Sequence, residues 1–199
     1  MRFFITLTLS LGLCLVAMAA TAADGSPWTL DNARSQLSFV SVKAGDFAEV
    51  HTFERLSGAV GADGGVEVVI DLASVNTLIP IRDDRVREVL FETVRFPTAS
   101  LVGRVDMASL QALGPGEVTR LDMEGQLLIK DHSLVVTLDL LAARLADDAV
   151  LVSSLKPVIV DAAGVGLVDG VEQLREIAGL PSISKAVPVS FVLVFSKDG

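Results

Sequence analysis

His51 and His132 are the only histidines of the chain, and a metal site built on them would need further ligands at short spacing. No H-x-x-x-H or H-x-H pattern supplies them, so no metal is expected. His132 reads as part of an exposed turn tip, and His51 as a residue near a strand start. Hydrolysis through an activated serine would need a marked nucleophile, and no G-x-S-x-G elbow occurs. The pairs Asp83-Asp84 and Asp147-Asp148 have the types for acid–base work. Adjacent acids in a helix's first turn or in a polar loop, however, read as solvated surface charge. No catalytic residue emerges, and the chain is not expected to be an enzyme.

The elements that could position a site begin after a targeting segment. Arg2 supplies a positive start, and Phe3 to Ala20 form an apolar run broken only by Thr6, Thr8, Ser10 and Gly12. Ala20-Thr21-Ala22 is an A-x-A cleavage signal, so residues 1–22 are expected to be a cleaved secretory signal peptide. Leu13, just before Cys14, is too bulky for a lipid-attachment site, and Cys14 belongs to the apolar run. Cleavage leaves residues 23–199 as one domain without cysteine, which excludes disulfides, thiol nucleophiles and thiolate metal sites. The formal net charge of −9 makes nucleic acid and anionic membrane surfaces poor partners.

Beyond that segment the dominant period is two. Leu37 and Phe39 share a face, as do Val66, Val68, Ile70 and Leu72. Leu121, Met123, Gly125, Leu127 and Ile129 make a third row, and Leu134, Val136, Leu138 and Leu140 a fourth. The cleanest row is Val187, Val189, Phe191, Leu193 and Phe195. Each places its apolar members on one side of a strand. Gly61 to Gly65, Gly114-Pro115-Gly116 and Lys130 to Ser133 supply turns, the last joining a hairpin. With segments at Leu56 to Val60, Ala99 to Val105 and Leu151 to Val160, about eight strands result. That number with regular turns argues for a closed barrel or a sandwich. Val135, Leu141, Val192 and Val194 put apolar residues on the second face as well, and a lipophilic barrel with elements packed outside would account for both faces. A tightly filled core is the alternative.

Two short helices interrupt the strands. Asp169 can cap one, with Glu172 three residues on as a capping box requires. Val171, Leu174, Ile177 and Ala178 share a face, and Gly179 and Pro181 end the helix. In the other, Asp83 and Asp84 occupy the first turn, favoured by the helix dipole, and Asp83 can pair with Arg87. Val86, Val89 and Leu90 then line one side, suited to face the opening at a barrel's end.

Several motifs together carry a resemblance. Trp28-Thr-Leu30-Asp31, Ser35-Gln-Leu37-Ser-Phe39, Phe53, Gly58, Ser74-Val75-Asn-Thr77, Arg82-Asp83, Phe91 and Phe96-Pro97 come first in order. Gly125-Gln-Leu127 and Val187-Pro-Val-Ser-Phe191 follow. In that order and spacing the chain resembles the YceI-like family over essentially all of residues 23–199. The resemblance implies a lipocalin-like antiparallel β-barrel, exported to the periplasm, holding a polyisoprenoid or similar amphiphile in a long apolar cavity. Lys130-Asp131-His132-Ser133 departs from the His-Gly pair of many members, and Leu155 to Leu180 is longer than the usual core.

The expectation is therefore a mainly β, lipocalin-like barrel of about eight strands and two short helices that binds a long-chain isoprenoid, a quinone being one candidate, and needs no other cofactor. The expected wall residues are Phe39, Val68, Ile70, Leu127, Val136, Leu138, Phe191 and Leu193, with Val86 and Leu90 from the lid. Arg82, at the mouth, could meet a polar headgroup or pin its helix to the rim, and the pinning role is favoured. An inner-membrane partner is compatible with this reading, and the sequence is silent on oligomeric state. A structural or interaction module with a filled core and no ligand is the alternative.

Overall fold

The structure, a computed structural model, describes residues 27–197; the expected signal peptide and its cleavage site lie outside them. Twelve strands form one antiparallel sheet. They are β1 (Trp28–Leu30), β2 (Gln36–Lys43), β3 (Phe47–Phe53), β4 (Leu56–Val60), β5 (Gly65–Asp71) and β6 (Val75–Asn76). After these come β7 (Thr98–Arg104), β8 (Val118–Ile129), β9 (His132–Ala146), β10 (Ala149–Ser154), β11 (Val158–Asp161) and β12 (Ala186–Ser196). Eight of them close a ring in the order β1-β4-β5-β7-β8-β9-β10-β12, with β12 returning to β1. Closure removes the unpaired edges that an open sheet would expose.

The remaining four strands lengthen the ring at one end. The lower half of β12 pairs with β2 through Val189↔Phe39 and Phe191↔Leu37 on one side, and with β11 through Val158↔Val189 on the other. β3 continues from β2 and holds β6 at Thr52↔Asn76 and Phe53↔Val75. The expected strand over Leu151 to Val160 is two strands, β10 and β11, because Lys156 and Pro157 interrupt the ladder; proline has no N–H to donate to it. The β8–β9 hairpin turns on Lys130 and Asp131 alone, with Lys130 at a positive φ of 53°.

Three helices pack on this frame rather than two. Met107–Gln111 (α2) is the additional one, capped by Asp106, whose side chain accepts from the Ala108 amide. Pro80–Arg85 (α1) begins with proline at a first-turn position, where a missing N–H costs nothing, and runs into a π-helical stretch, Val86–Phe91. Val168–Ile177 (α3) differs from expectation at its start: Leu167 holds the cap position without a side-chain bond, and Asp169 lies inside the first turn. Asp169 therefore forms no capping box, and Glu172 instead binds Arg175 and Lys185 at 2.7 and 2.9 Å. The helix ends as expected. Gly179 has φ 63°, its N–H donates to Glu176 and that of Leu180 to Arg175, the Schellman pattern.

The barrel interior has two unlike halves. At one end Trp28, Leu30, Val60, Leu121, Leu140, Val150 and Phe195 are all buried against each other. Arg144 and Lys197 flank the Trp28 ring, each 5.0 Å from its centroid. At the other end, ringed by β2, β3, β11, α1 and α3, the inward rows do not meet. Of the outward apolar residues expected to be covered, Val194 is buried, Val135 and Val192 are exposed, and Leu141 is half-buried.

Candidate functional site

The unfilled half is a cavity of about 540 Å³, within the roughly 300–1,000 Å³ typical of small-molecule sites. Phe39, Leu101, Leu127, Val160, Val189 and Phe191 face inward on their strands and line it, yet are only half-buried. An inward side chain keeps accessible surface only when it borders a void. The cavity opens between α1 and the end of α3, where the lining residues Ile79, Ile81 and Ala178 are also solvent-exposed.

All eleven residues singled out from the sequence lie on this cavity: Phe39, Val68, Ile70, Arg82, Val86, Leu90, Leu127, Val136, Leu138, Phe191 and Leu193. Val89, expected to face the opening with Val86 and Leu90, does not line it. A π-helical turn carries more residues than an α-turn, which keeps Val86 and Leu90 in phase and rotates Val89 away. Its carbonyl lies instead against Gly170 of α3, where any Cβ would come within 3.1 Å of it and 3.0 Å of Leu90 Cα. The lid thus packs backbone to backbone on α3.

Sequence reasoning passed over the polar strip of the lining. Ser41, Lys43, Glu49, His51 and Thr77 border the cavity, the first four on the inward faces of β2 and β3. The period-two row Leu37-Phe39 runs on through Ser41 and Lys43, and following its phase past the last apolar residue would have found them. His51, expected near a strand start, sits in the wall opposite Phe39, buried to 4% exposure. His132 is exposed at the start of β9.

Hydrogen bonds tie this strip to the lid. Asp83 is buried, and its Oδ1 accepts from the Thr77 amide at 2.7 Å and the Thr77 hydroxyl at 2.6 Å. Arg82 donates to Glu49 at 2.7 Å and to the Thr77 carbonyl at 2.5 Å, so it does pin α1 to β3. Arg87 pairs not with Asp83, as the helical spacing suggested, but with Asp84 at 2.9 Å, and also donates to the Ala73 carbonyl. Asp83 is already turned inward. The hydrogen bond from Lys43, followed by the charges of Arg82 and Lys43, holds the Glu49 carboxyl below its usual range.

Burial above all, and then the Arg82 cation, lowers the His51 pKa from 6.5. Glu49, Lys43 and Asp83 are the other charges that act on the ring. The sign follows directly. The unfolded chain takes up the His51 proton near pH 6.5, whereas the folded chain resists it to lower pH, so stability present above 6.5 is lost as pH falls below it. Denaturation midpoints of the wild type are expected to drop between pH 7 and 5, before the carboxylates titrate, and those of His51→Phe to drop less. Parallel profiles would show that the ring ionises freely in the fold.

Three comparisons bear on this site. Residues 28–195 match the family model described as a YceI-like domain. A polyisoprenoid binding domain from Saccharophagus degradans, implicated in plant cell wall breakdown, is 37% identical, with a TM-score of 0.84 over 86% of this chain and 98% of that one. BcnA of Burkholderia cenocepacia is 19% identical with a TM-score of 0.61, over 83% of this chain and 98% of its own. A mutant CJ YceI protein, 15% identical with a TM-score of 0.54, covers 75% of this chain and 84% of its own. The last two share the fold. No curated protein matches the chain.

Proposed function

Since this chain belongs to the YceI-like family, we propose that it is a binding protein, not an enzyme, that holds the tail of a long-chain isoprenoid or similar amphiphilic lipid in the hollow half of its barrel. The carrying observation is that void: about 540 Å³, walled by inward Leu, Val, Ile and Phe side chains and open beside a lid. The 37% identity to a polyisoprenoid binding domain supports the same ligand class. Each buried CH₂ contributes about 0.8 kcal/mol, so a tail of about 20 carbons gives on the order of 16 kcal/mol gross. Association costs of roughly 4–15 kcal/mol leave usable affinity without any catalytic group.

A quinone with an isoprenoid tail falls in this class. The periplasm is the proposed place of action, from the secretory signal read in residues 1–22, with an inner-membrane partner as source or recipient of the lipid. The filled-core alternative describes only the Trp28 end of the barrel.

A polyprenyl lipid at 100 times its Kd should stabilise the fold by about 2.7 kcal/mol. For a domain of this size that raises the Tm by roughly 5–10 °C. Delipidated protein that gains nothing from polyprenyl lipids of any head group would overturn the proposal.

A further inference from the structure

Two polar nitrogens at the cavity wall have no partner. Among the described residues, His51 Nδ1 and Arg82 Nε are buried side-chain nitrogens without a hydrogen bond. Both side chains line the cavity, and Glu49, two residues from His51 on the same face of β3, holds Arg82 at 2.7 Å. A buried polar group left unpaired is costly, and native proteins rarely retain one without a use.

The Ser41 contact bears on which ring nitrogen of His51 carries the proton. Nε2 lies 2.9 Å from the Ser41 hydroxyl, which has no other side-chain hydrogen bond among the described residues. If Ser41 donates to Nε2, the ring proton sits on Nδ1 and one donor is left over. With the roles reversed, the hydroxyl proton and the Nδ1 lone pair are both left over. In the first arrangement the ring needs only an acceptor at Nδ1, and that is the arrangement adopted in the inference below. Arg Nε is a donor in every state. With that proton on Nδ1, two buried donors beside the cavity lack an acceptor.

The wall also grades in polarity. Along β2 and β3 the inward pairs run from Leu37 and Phe53, through Phe39 and His51, to Ser41 and Glu49, and then to Lys43 near the mouth. A tail suits the first of these levels and a head group the others.

Resting on the lipid-binding reading above, we infer that His51, oriented by Ser41, is the residue that selects the head group, donating from Nδ1 to an acceptor oxygen of the lipid. The ligand class is an isoprenoid bearing a carbonyl or phosphate oxygen, in preference to a bare hydrocarbon. Arg82 Nε offers a second donor from the lid side.

The test measures binding of four probes with comparable tails to wild-type protein: a polyprenyl quinone, a polyprenyl phosphate, a polyprenol and the hydrocarbon squalene. One gained hydrogen bond corresponds to about tenfold in affinity. The quinone or the phosphate should bind about tenfold more tightly than squalene, and which of them does so identifies the oxygen. In His51→Phe that preference should vanish while squalene binding stays, which also shows that the variant is folded. Ser41→Ala, which frees the ring to change tautomer, should reduce the preference and narrow the gap to the polyprenol. Equal binding of all four probes to the wild type, or a preference that survives His51→Phe, overturns the inference but leaves the lipid reading intact. No binding of any probe removes both.

Discussion

Leu127→Trp is expected to abolish lipid binding, by at least about 100-fold, while the barrel stays folded. Leu127 stands on the inward row of β8 with Leu121, Met123 and Ile129, its Cα paired with Leu101 on one side and Leu134 on the other. It is nevertheless half-buried, because its side chain borders the cavity. An indole there enters space that the tail would use. In a close-packed core the added volume would cost about 1–3 kcal/mol; here the ligand-free protein should change by less than about 1 kcal/mol, since nothing has to move. Leu121→Trp is the control. Leu121 is on the same row but at the filled end, 8% exposed among Trp28, Leu140 and Phe195, and should show the full overpacking cost. Chemical denaturation of the two variants separates them, and equal losses would mean that Leu127 faces packed side chains rather than a void.

Asp83→Ala should destabilise the protein by about 3 kcal/mol and weaken lipid binding with it. The Thr77 amide and hydroxyl both donate to Asp83 Oδ1, and Thr77 is only 2% exposed. Removing the carboxylate leaves the buried Thr77 amide unpaired and its hydroxyl with only the Ile79 carbonyl at 3.4 Å, at about 1–3 kcal/mol for a donor left unsatisfied. Arg82 still holds the Thr77 carbonyl and Glu49, so α1 should stay near the rim but loosen. Asp83→Asn keeps an acceptor oxygen and should lose roughly half as much. Denaturation with and without a polyprenyl lipid measures both effects. If Asp83→Ala matched the wild type in stability, the anchoring role assigned to this pair would be wrong.

The residues explain how far the sequence could be read. Strict alternation along β5, β8, β9 and β12 made the inward faces legible, since on a strand a period of two leaves one choice of phase. The wall residues drawn from those rows followed from it. Alternation left barrel and sandwich open, whereas the closed barrel was what the YceI-like resemblance implied. The observed ring takes in β1, while β2 lies outside it. Phe47 to Phe53 was missed because Glu49 and His51 point inward there, so the segment shows no apolar row on its inward face. The π-helical turn was invisible for a similar reason: Val86, Val89 and Leu90 satisfy α-helical spacing, and only packing against Gly170 rotates Val89 off the cavity. Asp83 and Arg87 likewise have the spacing of an ion pair on a free helix, but the buried Thr77 donors claim the carboxylate first. Local pattern also could not tell a filled barrel from a hollow one. Leu121 and Leu127 look alike in sequence, and which of them meets a partner across the barrel depends on where Trp28 and Phe195 plug it.

The most direct measurement is native mass spectrometry of the protein purified from its own host without detergent, with lipid extraction of the same sample. The hollow-barrel account predicts one isoprenoid per chain, retained in the gas phase and absent from Leu127→Trp purified in the same way. Wild-type protein that is consistently empty, and stays empty after exposure to polyprenyl quinones, phosphates and hydrocarbons, would contradict it.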